Sequence, residues 1–214
     1  DFSNKSQVLI QGEDGYFTDI HNQDTQRQGE AGLFYQETHS VPLVADFDHN
    51  GTLDLIMTAV YDGRPTDFYW GQGDGTFVLD RYTTGLKQTN GWGLSASDYD
   101  HDGDLDVIYN QGKLYRNRLD DQSETSAHWL QVQVIGNVTS NFYALGSTVR
   151  IHTADQSWMR YIDGGSGQGG QNSSTIHFGL GEATTIDWVE VQFIGGETVR
   201  YDGPFAVDQK WWLL

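Results

Sequence analysis

One acidic segment occurs twice in the sequence, and this repeat limits the possible folds more than any other feature. Residues 44–56 read VADFDHNGTLDLI, and residues 96–108 read ASDYDHDGDLDVI. The offset, 96 minus 44, is 52 residues, close to the period of roughly 20–50 residues found in proteins built from repeated units. Both copies run directly into strand-forming residues, so the sequence predicts two similar β units.

The remainder of the chain also has the character of β structure. Segments 130–134 and 188–193 alternate apolar and polar residues over most of their length, as half-buried strands do. Segments 12–17 and 73–77 each place an Asp-Gly turn between two apolar runs, which predicts hairpins. Because no long stretch has helical periodicity, the predicted fold is all-β.

The acidic pattern ends near a polar, linker-like stretch at residues 120–126 and does not return. We therefore predict two domains. Residues 1–127 contain the repeats, and residues 128–214 form a second β domain.

Each acidic segment follows the pattern D-x-D-x-[DN]-G-x-x-D, which is suited to holding a cation. Oxygen ligands at positions 1, 3 and 5 converge on one ion when the backbone curls around it, and Gly at position 6 permits the sharp turn. Position 7 usually contributes its carbonyl oxygen and position 9 a carboxylate. Calcium takes about six to eight oxygen ligands, whereas magnesium retains much of its water. The predicted cofactor is therefore Ca2+, at two sites.

The assigned ligands occupy the same positions in both loops. Site one consists of the side chains of Asp46, Asp48, Asn50 and Asp54, with the carbonyl of Thr52. Site two consists of the side chains of Asp98, Asp100, Asp102 and Asp106, with the carbonyl of Asp104. Because site two has four carboxylates and site one has three, we expect site two to bind more tightly. The residues at position 4, His49 and His101, are expected to point away from the ion into solvent.

Residues 41–118 resemble the FG-GAP/VCBS repeats of integrin-type β-propellers. Besides the acidic loops, the resemblance rests on segment 71–77 (GQGDGTF) and on segment 91–94 (GWGL). Residues 128–214 resemble the ASPIC/UnbV domain that often follows such repeats, as in the cartilage acidic protein family. The matching residues are Trp129-Leu130, Asn141, Ala144-Leu145-Gly146-Ser147-Thr148-Val149, Gly165-Ser166-Gly167, Gln171-Asn172-Ser173 and His177-Phe178-Gly179-Leu180-Gly181.

This resemblance implies partial β-propeller-like blades followed by a β-sandwich-like domain, in a secreted protein that binds calcium and serves in adhesion or matrix contacts. The chain departs from the family at residues 193–196 (FIGG), where a Trp-Pro-x-Gly turn is usual. Two loops and about three hairpins are also too few to close a ring of about four to eight blades. Either upstream blades are missing, or partner chains complete the sheet through self-association.

Composition excludes several other classes of function. The net charge of −18 leaves no basic footprint for nucleic acid, and no run approaches the ~20 apolar residues of a membrane helix. The chain has no cysteine, so disulfides and thiol nucleophiles are excluded. Asn4, Asn137 and Asn172 lie in sequons and are possible glycosylation sites, whereas the sequon at Asn50 falls inside a metal loop.

The favoured function is a secreted, non-enzymatic, calcium-stabilised adhesion, matrix or assembly module that contacts a protein or glycan surface. One alternative is a carbohydrate-binding module that uses an exposed tryptophan, with candidates Trp92, Trp158, Trp211 and Trp212. Another is a subunit of an extracellular fibre completed by neighbouring chains. An enzyme is not expected, because no nucleophile elbow, His-Glu-x-x-His motif or phosphate loop occurs. The glycine-rich segment 164–170 is interpreted as a flexible loop.

Overall fold

The computed structural model describes residues 6–22, 28–36, 38–119, 126–136 and 141–214. All regular secondary structure within these ranges is β, which confirms the all-β prediction. No helix in the same ranges is long and apolar enough to cross a membrane. The sequons at Asn4 and Asn137 lie outside the described residues.

The first half of the chain forms three antiparallel sheets. A hairpin pairs β1 (Leu9–Gln11) with β2 (Phe17–Asp19). A four-stranded sheet follows in chain order, with β3 (His39–Ala45), β4 (Asp54–Ala59), β5 (Asp67–Gly71) and β6 (Phe77–Asp80). The next sheet has three strands, β7 (Leu94–Ser97), β8 (Asp106–Tyr109) and β9 (Leu114–Tyr115). The last two sheets have the form of propeller blades.

The two acidic loops occupy equivalent places in these blades. The first joins β3 to β4, where Ala45 pairs with Asp54, and the second joins β7 to β8, where Ser97 pairs with Asp106. Each loop therefore closes the first hairpin of its blade. The inner faces of both blades share one hydrophobic cluster, which includes Val41, Leu43, Ile56, Phe68, Leu94, Val107 and Tyr109. No sheet in the described part of the chain closes into a ring.

The second half is a sandwich of two sheets. One has the order β13 (Thr175–Gly181), β10 (His128–Val134) and β16 (Gln209–Leu213), with β16 parallel to β10. The other has the order β12 (Ser157–Tyr161), β11 (Thr148–His152), β14 (Thr185–Gln192) and β15 (Thr198–Ala206). Both sheets bury apolar side chains in one core, among them Leu130, Val132, Val149, Ile151, Phe178, Val189 and Val191.

The hydrophobic cores of the two halves are separate clusters, and hydrogen bonds join the two halves. The predicted division at residues 127 and 128 coincides with the start of β10 and stays a prediction. Strands β10 and β13 lie against the two acidic loops, and this packing determines the surroundings of the candidate site.

The glycine-rich segment 164–170 is not the free loop expected from the sequence. It lies along the blades so closely that a β-carbon on Gly170 would come within 2.1 Å of the Leu94 carbonyl oxygen. Just beyond it, the Ala96 amide donates to the side chain of Asn172 and the Ala96 carbonyl accepts from the Ser173 amide. The glycines permit this close approach of two backbones. A glycan on Asn172 would compete with its contact to Ala96, and glycosylation there stays a prediction.

Candidate metal centres

Three carboxylates meet in the loop between β3 and β4. Asp46, Asp48 and Asp54 each offer an oxygen within 4.8 Å of the others. Asp46 is 2% exposed and Asp54 is fully buried. One oxygen of Asp46, Oδ1, is buried and has no hydrogen-bond partner. A buried carboxylate oxygen without a partner is costly, and a hard cation is one group that satisfies it.

Backbone amides hold these carboxylates in place. Gly51 donates to Asp46 Oδ2 at 2.8 Å, and Phe47 and Gly71 donate to the two oxygens of Asp54 at 3.0 and 2.9 Å. Gly51 reaches Asp46 because it adopts a left-handed conformation with φ of 91°, which glycine tolerates without strain. The predicted requirement for Gly at position 6 is therefore met by the geometry of the turn.

The second loop repeats this arrangement. Asp98, Asp100 and Asp106 each offer an oxygen within 4.8 Å of the others. The Gly103 amide, with φ of 101°, donates to Asp98 Oδ2 at 3.1 Å. Tyr99 and Asn117 donate to the two oxygens of Asp106 at 3.1 and 2.8 Å. The two loops are thus equivalent in their carboxylates and in the amides that orient them.

The position-5 side chains make hydrogen bonds within their own loops, and Asn50 Nδ2 also donates to Asp48 Oδ2 at 3.0 Å. Asn50 Oδ1 accepts from the Thr52 amide at 2.7 Å, and Asp102 Oδ1 accepts from the Asp104 amide at 2.9 Å. Each position-5 side chain therefore turns back onto its own loop. The structure brings together six of the predicted side chains, those at positions 1, 3 and 9. The ligand roles of Asn50, Asp102 and the carbonyls of Thr52 and Asp104 stay predictions.

Burial makes the negative charge of these loops costly. Desolvation is the largest cause that raises the pKa of Asp46 to about 7, and repulsion from Asp48 and Asp54 adds to it. Desolvation likewise raises the pKa of Asp54 and of Asp106 to about 6, although amide donors oppose the shift. Removing a carboxylate from water disfavours its ionised form unless positive charge is supplied nearby. Both clusters therefore fit a divalent cation with oxygen ligands.

An arginine pairs with two carboxylates of the second loop. Arg116 Nε lies 2.6 Å from Asp100 Oδ2, and Arg116 Nη2 lies 2.7 Å from Asp102 Oδ2. In the first blade the equivalent position, immediately before the amide that caps the position-9 carboxylate, is Trp70. The arginine offsets part of the negative charge that the second loop gains from Asp102 and Asp104. The tighter binding expected at site two stays a prediction.

The two position-4 histidines differ from one another. His101 is exposed, as predicted. The prediction for His49 was wrong, because it is 3% exposed and its ring lies 4.9 Å from the ring of His177. The His49 side chain does leave the ion cluster, but β13 of the second half covers it. Its burial depends on a contact between the two halves of the chain, which a local pattern does not encode.

Sequence reasoning did not identify the residues of the second half that contact the loops. They are Gln131, Trp158, His177 and Gly181. One signal was present in the run His177-Phe178-Gly179-Leu180-Gly181, because glycine inside a strand often marks a close approach of another backbone.

Comparison with family models agrees with this architecture. The FG-GAP-like repeat model matches residues 46–109, which span both loops, and the ASPIC and UnbV model matches residues 137–213. A search of curated proteins finds no match to this chain. The FG-GAP-like repeats commonly bind calcium, and both domain types are extracellular-type modules.

The raised pKa of Asp46 predicts how stability depends on pH when a chelator removes divalent cations. The folded chain holds a proton on Asp46 more tightly than the unfolded chain does, so stability falls as pH rises through about 7. Across about pH 6.5 to pH 8 the buried histidines act in the opposite direction, because their lowered pKa values keep them neutral in the folded chain, whereas the unfolded chain still binds protons on them near pH 6.5. The Asp46→Asn variant keeps these histidines, so the difference in stability between wild type and variant isolates the effect of Asp46. Relative to the variant, we expect the wild type to lose roughly 1 kcal/mol across this window.

Differential scanning calorimetry in chelator measures this loss. The Asp46→Asn variant cannot titrate at this position and should show only the contribution of the other groups over the same window. A difference in stability between wild type and variant that stays constant across the window, or that shifts in favour of the wild type as pH rises, would contradict a raised pKa at Asp46.

A second prediction concerns Arg116. The Arg116→Met variant frees Asp100 and Asp102 from their ion pairs, so calcium affinity at the second loop should rise by about two- to fivefold, as the energy of a partly exposed ion pair implies. Lys113→Met removes the same charge from an exposed position on the same hairpin and serves as the control. Isothermal calorimetry that shows no difference between the two variants would contradict competition by Arg116.

Proposed function

We propose that this chain, an FG-GAP-like repeat followed by an ASPIC and UnbV domain, is a non-enzymatic, calcium-stabilised adhesion or assembly module of the extracellular space. Its calcium would be structural. The observation that carries the proposal is the convergence of Asp46, Asp48 and Asp54, with Asp46 Oδ1 buried and unpartnered. A second cluster of the same form stands at the equivalent turn of the next blade.

Calcium fits these loops better than other common metals. The clusters consist of carboxylates, which are hard oxygen ligands, and the chain has no cysteine to favour zinc or copper. Calcium also accepts irregular cages in which backbone carbonyls and water complete the shell. In this role the ion offsets the repulsion between the clustered carboxylates and fixes the turn between two strands. Under this proposal the residues at positions 5 and 7 would add oxygens to the same shell when the ion is bound.

The surroundings of the loops support a structural role rather than catalysis. The position-4 histidine of the first loop, His49, is buried, and burial lowers its pKa. His177 is also buried, with a pKa lowered to about 3, and its Nε2–H donates to the Gly103 carbonyl. Neither ring is disposed to exchange protons with a substrate near neutral pH. Contacts with partners would therefore be made by outer surfaces that the loops hold in position.

Chelation tests the structural role of calcium. At a free concentration about a hundredfold above Kd, each site adds about 2.7 kcal/mol of stability, so two sites raise Tm by roughly 10–20 °C in a domain of this size. The Asp46→Asn and Asp98→Asn variants should each lose part of this shift. Asp155→Asn, in an exposed turn between β11 and β12, is the matched control and should keep all of it. An unchanged melting curve for the wild type in excess chelator would overturn the proposal.

Assembly through open sheet edges is one form that the function could take. Strand β9 pairs with β8 on one side, and no strand in the described part of the chain pairs with its other side. A cleft of about 530 Å³ lies beside it, lined by apolar residues of both blades, among them Phe47, Ile56, Trp70, Leu105 and Tyr115. An added strand from a neighbouring chain would satisfy such an edge. Sedimentation in calcium tests this form, and a strict monomer at high concentration would contradict it.

Carbohydrate binding is the second candidate function, and the packing of the four candidate tryptophans distinguishes between them. Trp158 is buried in the sandwich core, and Trp211 is partly buried and packs edge-on against Phe205, whereas Trp212 is exposed. Trp92 is 40% exposed and lies in a T-shaped contact with Tyr61. Its indole N–H donates to Asn90, and polar groups beside an exposed ring are the usual combination in sugar sites.

A glycan array tests the second candidate. Binding that is lost in Trp92→Ala and kept in Tyr82→Ala, which removes an exposed ring elsewhere, would support a sugar site at Trp92. Binding that is absent from the wild type, or equally retained by both variants, would exclude it.

A further inference from the structure

The second domain contacts the two acidic loops at equivalent backbone atoms, the carbonyl oxygens of the position-6 glycines. The indole N–H of Trp158 donates to the carbonyl oxygen of Gly51 at 3.0 Å, and the imidazole Nε2–H of His177 donates to the carbonyl oxygen of Gly103 at 2.9 Å. Gly51 and Gly103 are the position-6 residues whose amides hold Asp46 and Asp98. The amide of each glycine therefore orients a carboxylate, and its carbonyl oxygen accepts a hydrogen bond from the second domain.

The second domain also touches the carboxylates of position 1. The side-chain amide of Gln131, which is buried, donates to Asp98 Oδ2 at 2.6 Å. At the first loop the backbone of β13 takes the corresponding place, and a β-carbon on Gly179 would lie 2.0 Å from Asp46 Oδ2. The second domain thus contributes to the position and the electrostatic surroundings of one carboxylate in each cluster.

His49 joins the loops to each other and to the second domain. Its carbonyl oxygen accepts from the Gly181 amide at 2.8 Å, and its ring lies against His177, which in turn stacks on Trp129. On the other side, His49 Nε2 lies 3.6 Å from Asp104 Oδ1 in the second loop. The two clusters and the second domain therefore share one continuous set of contacts.

These contacts depend on the conformation of the loops. The hydrophobic cores of the two domains remain separate clusters. The contacts of Trp158, His177, Gln131 and Gly181 are made to loop atoms, whereas Asn172 and Ser173 contact Ala96 of β7. When no cation is bound, mutual repulsion of the buried carboxylates favours loop conformations that separate them. Such a rearrangement would move the Gly51 and Gly103 carbonyls away from Trp158 and His177.

We propose that the two acidic loops and the second domain form one cation-dependent junction, in which cation binding and docking of the second domain stabilise each other. This inference rests on the proposed calcium binding. Because coupling between two events is reciprocal, docking raises the affinity of the loops for calcium by the same factor by which calcium stabilises docking. The second domain is thus a positioning element for the metal sites and the element that calcium loading holds in place.

The Gly179→Ala variant of the full chain tests whether docking of the second domain and cation binding are coupled. Its added methyl group would press on Asp46 Oδ2 and on the His49 Cα, 2.6 Å away, and the glycine has no positive φ that alanine would strain. Gly165→Ala is the matched control, because it has open space around it and also no positive φ. Calorimetric titration with calcium should show about tenfold weaker binding at one site in Gly179→Ala, within the usual 5- to 150-fold range of coupling. Gly165→Ala should match the wild type.

The Trp158→Phe variant gives a milder test should Gly179→Ala fail to fold. It removes the donor to the Gly51 carbonyl and keeps an aromatic ring in the core. We expect severalfold weaker calcium binding, by the worth of about one hydrogen bond. Trp212→Phe, at an exposed tryptophan of the same domain, is its control.

Hydrogen exchange of the wild type gives an independent measurement. Addition of chelator should speed exchange of the Gly181 and Ser173 amides, which donate to His49 and Ala96 across the junction. The amides of β11 and β14 inside the sandwich should keep their protection. Unchanged protection at Gly181 and Ser173 would overturn the coupling.

The outcomes also distinguish the two proposals. Calcium binding by the wild type with equal affinity in the docking variants and their controls would overturn the junction and leave the proposed function standing. Failure of the wild type to bind calcium would overturn both.

Discussion

The burial of carboxylates at the ends of β3, β4, β7 and β8 is the constraint on which this structure depends. A fully buried aspartate such as Asp54 pays a desolvation cost of several kcal/mol when ionised. Backbone amides offset part of it, since Phe47 and Gly71 both donate to Asp54. The Oδ1 atom of Asp46 has no partner, and burial raises the pKa of Asp46 to about 7 and that of Asp54 to about 6. The amides alone therefore do not offset the whole desolvation cost. Under the proposed calcium binding, a cation in each cluster would offset the rest of this cost.

The two copies of the loop have diverged in their charged residues. The second copy has Asp102 and Asp104 where the first has Asn50 and Thr52, and the same blade has Arg116 where the first has Trp70. Trp70 has a different role, because it donates to Asp80 within its own sheet and packs on Phe68. Counting carboxylates in a loop therefore says little about its affinity unless the neighbouring strand is included. The electrostatic unit is the loop together with the strand that caps its last carboxylate.

The sequence predicted those features that depend on local spacing. The positions of the carboxylates, the left-handed glycines and the β flanks all follow from the nine-residue pattern, and the structure has them. It did not predict the burial of His49 or Trp158, or the contact between Gln131 and Asp98, because these arise from packing between segments about 30 to more than 100 residues apart. The glycines of segment 164–170 are evident in the sequence, but a glycine-rich segment is expected both for a flexible loop and for a close approach of two backbones.

The position of the second domain gives the two clusters unequal access to solvent. At the first loop, β13 covers Asp46 and His49, and Asp48 is only partly exposed. At the second loop, Asp98 is partly exposed and Asp100 is open to solvent. An ion in the first cluster would therefore leave mainly when the second domain moves, whereas an ion in the second could exchange while the domains remain docked. The rates of ion release would thus depend on what covers each cluster as well as on the charge of its loop.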